Sequence, residues 1–164
     1  MGDIFTREIA ERAVHFVLPS IKKLMELGLL KRTHLHVVVS DMVHRSVIAT
    51  EEDWNSSCIL YEYSMGDRSA WELPFDKIAR SKCYLSWRYG LPTQVLQTRC
   101  PHFLAEGDTI YYGSAARDGL AVACSGVQPY FDGMISEWVL EAMRALCIER
   151  REELEKAHKK GFIP

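Results

Sequence analysis

The apolar positions of this chain follow two periods, three-to-four and two. From Thr6 to Leu27 the residues Ile9, Ala13, Phe16, Val17, Ile21 and Leu24 recur at spacings of three and four, which predicts one amphipathic helix. Thr6 suits its N-cap and Gly28 its C-terminal stop. Pro19 lies inside the pattern and cannot donate to the carbonyl of His15, so a kink or a split is expected there. The run LHVVVSD, residues 35 to 41, is the continuous β-branched sequence of a strand covered on both faces. After a turn at Met42 to His44, SVIAT (46 to 50) is expected to return as the second strand of an antiparallel hairpin. EEDWNSS then reads as an acidic interruption. CILYEYS (58 to 64) has the composition of a strand, although a partly helical segment would fit it too.

The helical period returns from Pro74 to Tyr89, with Phe75, Ile78, Ala79, Cys83 and Leu85 or Trp87 on one side. Asp76, Lys77, Arg80 and Lys82 take the remainder, which reads as a solvated face. Gly90-Leu91-Pro92 ends the segment, and Thr93 to Thr98 adds a short helical piece. Two short strands are expected next, at Thr109 to Tyr112 and Gly119 to Ser125, with residues 113 to 118 as the turn between them. The second is built of small residues. Ala121, Ala123, Ser125 and Gly126 leave room for close approach to the backbone, either for a ligand or for a helix packed on the strand. Pro129 opens the last helix, whose buried side is Met134, Ile135, Trp138, Val139, Ala142, Met143, Leu146 and Cys147. From about residue 149 the helix is expected to continue as a charged extension. The pattern therefore predicts an α+β fold, a mainly antiparallel sheet flanked by helices, with a recess beside the start of the last helix between Asp118 and Gly126.

Length and composition narrow the class. A chain of 164 residues, 48% hydrophobic and 26% charged, suits one core better than two, so residues 1–164 are read as a single domain. A formal charge of −2 supplies no basic face to displace counterions, which argues against nucleic acid. No window reaches the ~18 apolar residues of a membrane span, and the acidic start is unlike a secretory leader, so a cytoplasmic protein without a membrane partner is expected. Met1-Gly2 with Thr6 also fits the loose N-myristoylation pattern. The five cysteines are scattered without a C-x-x-C pair, which reads as free thiols in a reducing compartment.

In order and in local motif, the chain resembles the GlcG-like family, which includes the haem-binding and haem-degrading HbpS-like proteins and the C-terminal domain of PduO-type cobalamin adenosyltransferases. The matching residues are Val37-Val38-Val39-Ser40-Asp41, the segment Lys77 to Lys82, and above all Gly107-Asp108-Thr109-Ile110, Gly119 to Gly126, and Asp132. The family's second glycine and proline in G-G-x-P are replaced at Asp108 and Ile110, and Ala121 and Ala123 stand where glycines flank the S-G strand. The resemblance implies a small-ligand-binding protein with α-β-α layers, assembled as a homodimer or larger homo-oligomer, with haem or a related tetrapyrrole as the leading ligand. It also implies a histidine or a weak oxygen ligand for the iron near the N-terminal helix.

His15 is the histidine on that helix, and a neutral imidazole is a competent iron ligand, so it is the candidate metal ligand. Lys77, with Arg80, Lys82 and Arg88, could neutralise propionates or a substrate carboxylate. Thr109, Tyr112, Ser125 and Gly126 in the signature segment complete the expected ligand-binding set. The alternative is a cofactor-independent catabolic enzyme acting on a small aromatic or carboxylated metabolite. There His102, Glu106 and Asp132 would carry acid-base chemistry if the fold brings them within hydrogen-bond reach. Surface ion pairs and helix capping explain each acid equally well.

Overall fold

A computed structural model of the chain describes residues 4–43, 48 and 50–157. The expected turn and second strand over 42 to 50 fall largely on residues 44–47 and 49, outside the described residues, as does Gly2 of the myristoylation pattern. The elements in chain order are α1 (Arg7–Glu26), β1 (Leu35–Asp41), α2 (Glu51–Ser57), β2 (Ile59–Met65), α3 (Phe75–Tyr89), α4 (Thr93–Arg99), β3 (Ser114–Arg117), β4 (Leu120–Ser125) and α5 (Pro129–Ala157). The four strands form one antiparallel sheet in the order β2-β1-β4-β3. This is the α+β arrangement expected, with a long helix at each end of the sequence.

Alternation along the strands sorts the core into two layers. Leu35, Val37 and Val39 of β1, with Val122 and Cys124 of β4, face α1 and α5 in the larger cluster. Val38, Ala116, Ala121 and Ala123 face the other way, onto Ala79, Cys83 and Trp87 of α3 and Trp54 of α2. Because both faces are covered, β1 is buried at every position, which is why its sequence is a continuous apolar run. The small residues of β4 serve the second of the two uses left open for them. They let α3 lie close on the sheet, with Cys83 Sγ 3.5 Å from the carbonyl of Ala121.

Several local expectations are corrected. Pro19 does not split α1, which runs unbroken because Pro19 is on the exposed face, where the carbonyl it leaves without a donor can bond water. EEDWNSS is a helix, not an interruption. Thr50 caps it by accepting from Asp53 N, and Trp54 is its buried anchor, donating Nε1 to Ser40 Oγ at 3.0 Å. Residues 109–112 form no strand, and the strand lies at 114–117, where a turn was expected. Asp118 (φ 54°) and Gly119 (φ 83°) are the two left-handed residues of a tight hairpin turn, so the register is set by Asp-Gly and not by the longer segment before it.

α5 is 29 residues long, roughly 43 Å. It packs beside α1, and beyond residue 148 it is largely exposed, as expected for the charged extension, with Arg12 of α1 bonded to Glu149 at 3.2 Å. Among the described residues no helix is long and apolar enough to cross a membrane.

Candidate functional site

Of the buried polar side chains, Lys82, Ser86, Thr93, Ser114, Asp132 and Ser136 gather at the junction where the chain enters β3 and α5 begins. Lys82 is 1% exposed and Asp132 3% exposed. Lys82 Nζ donates to Asp132 Oδ2 at 3.0 Å and to the carbonyl of Cys124 at 2.9 Å. The other oxygen of Asp132 accepts from Val127 N at 3.2 Å, so the carboxylate both closes the turn before α5 and pairs the buried ammonium. Burial pushes the Asp132 carboxyl above its ordinary range, and the charge and hydrogen bond of Lys82 only partly oppose this.

Next to this pair, Gly113 is fixed from several directions. Its N–H donates to Thr93 Oγ1 at 3.1 Å, and its carbonyl accepts from Ser136 Oγ at 2.9 Å and from Cys124 N at 3.3 Å. Its φ of +129° favours glycine, and a Cβ there would stand 2.5 Å from Asp132 Cβ and 3.1 Å from Lys82 Nζ. The neighbouring Ser114 Oγ lies 2.7 Å from both Ser86 Oγ and Thr93 Oγ1 and accepts from Thr93 N at 2.9 Å. Helices α3, α4 and α5 thus each contribute hydroxyls that hold residues 113 and 114 in place. Satisfied buried networks of this kind make a rigid wall.

On the outer side of that wall is a cleft of ≈ 320 Å³ between the starts of α4 and α5. Pro92 and Val95 line one side, Pro129, Tyr130, Met134 and Glu137 the other, and Tyr112 and Gly113 belong to the segment between them. The lining is mostly apolar and aromatic with few polar groups, the usual make-up of a small-molecule site, and its volume is at the small end of such sites. It opens one strand away from the expected recess, because α3 fills the space over Ala121 and Ala123.

Of the residues singled out from sequence, Tyr112 lines the cleft and Asp132 lies behind its wall. Ser125 is buried in β4 opposite His36 of β1, and Gly126 (φ 141°) lies against His34 and Leu35, where a Cβ would come within 2.6 Å of backbone. Lys77 is exposed on α3. Thr109 is half-buried, its carbonyl accepting from Gln97 Nε2 at 3.2 Å. His102 and Glu106 are exposed on the segment after α4; His102 stacks edge-on against Phe103 at 4.5 Å, and no hydrogen bond joins either residue to Asp132 among the described residues. His15 is exposed on α1 beside β2, its Nε2 3.4 Å from Tyr61 Oη. β2 and β3 are the two outer strands, so about 14 Å of sheet separates His15's strand from the one that follows the cleft.

The solvated-face reading of α3 fails at Lys82, which is buried; Arg80, half-buried, forms a two-pronged pair with Glu62 at 2.7 and 2.9 Å, and Arg88, also half-buried, bonds Asp108 at 2.7 Å. The spacing did carry the signal for Lys82, because 75, 79, 82, 83 and 86 trace one stripe of the helix. Ser86, Thr93, Ser114 and Ser136 had no such signal, since a lone hydroxyl looks the same on a surface as in a network.

Of the iron ligands that the resemblance implies, the cleft lining among the described residues offers oxygen donors, the phenols of Tyr112 and Tyr130 and the carboxylate of Glu137, and no imidazole, while His15 lies across the sheet. No group of three or more His, Cys, Asp or Glu is placed to hold a metal ion among the described residues. No family model matches this sequence, and no curated protein matches it either.

Proposed function

We propose that the protein binds a small, flat organic molecule in the cleft between α4 and α5. The observation that supports this is a lining of Tyr112, Tyr130, Met134, Val95 and two prolines outside a wall fixed by a fully bonded buried network. A rigid wall holds the cleft open in the free protein, so a ligand need not bear the cost of ordering it. The reading keeps the ligand-binding part of the family resemblance and leaves its tetrapyrrole aside. Within one chain the cleft suits a molecule of one or two rings, and a tetrapyrrole would need a second wall from another subunit. Assembly into a homo-oligomer is proposed on the resemblance alone.

The test is binding, measured on purified protein by its absorption spectrum, its intact mass under native conditions, and titration with one- and two-ring aromatic compounds. Saturable binding that is lost when Gly133→Leu fills the cleft supports the proposal. A panel of neutral, cationic and anionic compounds that binds neither protein, or binds both alike, sinks it. Hemin giving a Soret band that persists in Gly133→Leu and disappears in His15→Ala would restore the tetrapyrrole and place it beside β2.

A further inference from the structure

We infer that the cleft selects organic cations, an ammonium group borne on an aromatic ring, and disfavours carboxylates. This rests on the proposed ligand site and adds the charge of its occupant.

Among the described residues, Lys82 behind the cleft wall and Arg117 beside Glu137 are both already committed. Lys82 is neutralised by Asp132 and separated from the cleft by Gly113. Arg117, in β3, is shared by two carboxylates, Glu137 and Glu141, with Nη1 2.6 Å from Glu137 Oε2. At the start of α5, Pro129 has no N–H to offer an anion, and Asp132 in the first turn is itself a carboxylate. An anionic ligand would therefore lose its hydration without a partner, which costs more than the apolar contact returns.

A cation finds one oxygen still open. Among the described residues Glu137 is the one charged residue in the lining; its Oε2 is held by Arg117, and its Oε1 has no hydrogen bond. A carboxylate with one oxygen anchored and the other open is an oriented negative charge. Two tyrosines share the same cleft, and aromatic rings attract alkylated ammonium groups electrostatically. Glu137, Tyr112 and Tyr130 together make a site that an organic ammonium would satisfy and a carboxylate would not.

Three one-ring probes separate the cases by calorimetry on the full chain: benzyltrimethylammonium, benzyl alcohol and phenylacetate. The ammonium should bind tightest and phenylacetate weakest. Glu137→Gln should weaken the ammonium about fivefold more than the alcohol, while Arg117→Met, which frees the Glu137 charge, should tighten the ammonium about twofold. General damage to the fold would not raise affinity, so the two variants together distinguish charge from structure. Phenylacetate binding as tightly as the ammonium, or an ammonium affinity indifferent to both variants, would overturn the inference and leave the ligand site standing. If none of the three binds, the inference and the site fall together.

Discussion

Lys82 Nζ and Asp132 Oδ2 stand 3.0 Å apart, fifty positions apart in sequence, with side chains 2% and 4% exposed. The pair links the middle of α3 to the first turn of α5 through the end of the sheet. It stands directly behind the wall of the proposed ligand cleft, so its integrity and the shape of that cleft are coupled.

Removing one member of the pair leaves the other charge buried and alone. Lys82→Met is expected to cost about 3–5 kcal/mol at neutral pH, read from urea denaturation. The double variant Lys82→Met with Asp132→Leu should cost clearly less than the sum of the two single changes. The loss in Lys82→Met should also shrink in acid, as Asp132 takes up a proton. Additive losses would show that the two side chains act separately.

The same pair fixes a sign for pH. Because the folded-state Asp132 carboxyl is raised, its contribution is fully present below the ordinary carboxylate range and is lost as pH rises through the raised value. Asp132→Asn should therefore look worst against the parent in acid and better as pH rises through that window. The difference in denaturation midpoint, measured at several pH values, should slope in that direction.

Glu62 carries the opposite sign. Burial alone would raise its carboxyl, but hydrogen bonds from His36 and Arg80 and their charges outweigh it and bring it down to about 2. Its contribution is present above about 4.5 and lost as pH falls toward 2. With the side chain 27% exposed, solvent screening leaves this on the order of 2 kcal/mol. Glu62→Gln should flatten acid unfolding in that window, and an unchanged acid limb would show that other carboxylates govern it.

How much of this was readable in advance depended on whether the signal was periodic or a matter of contact. Burial on two faces writes itself into β1 as an unbroken apolar run, and the stripes of α1, α3 and α5 follow from helical spacing, so the layered α+β fold was legible. β3 lies later than the pattern predicts because Asp118-Gly119 alone makes the turn, and a two-residue left-handed turn is a stronger hairpin signal than the longer segment around it. Residue type places Lys82 in solvent, but its position on the stripe points inward, and it is buried. The hydroxyl cluster around Ser114 could not be read at all, since its partners come from α3 and α4 and only the fold brings them together. Ala121 and Ala123 were ambiguous for a physical reason, because a ligand and a helix need the same absence of side chain.

Two glycines that face each other across the cleft wall should respond in opposite ways to the same added methyl. At Gly113 a Cβ meets Asp132 Cβ at 2.5 Å and the carbonyl of Pro129 at 3.1 Å, on a backbone at φ +129°. Asp132 is held by the buried network and the Pro129 carbonyl is backbone of α5, so neither yields cheaply, and Gly113→Ala should cost about 2–4 kcal/mol. At Gly133, inside α5, the nearest atom to a Cβ is Gly113 Cα at 3.7 Å, an ordinary contact. Alanine there removes the entropic penalty of a helical glycine and should stabilise the protein by about 0.5–1 kcal/mol. Gly133 also lines the cleft, so the added methyl narrows it. Gly133→Ala should therefore raise the thermal midpoint and weaken the aromatic probes at once, a combination that loss of fold cannot produce. A variant both more stable and as strong a binder would show that the probes bind somewhere other than against this wall.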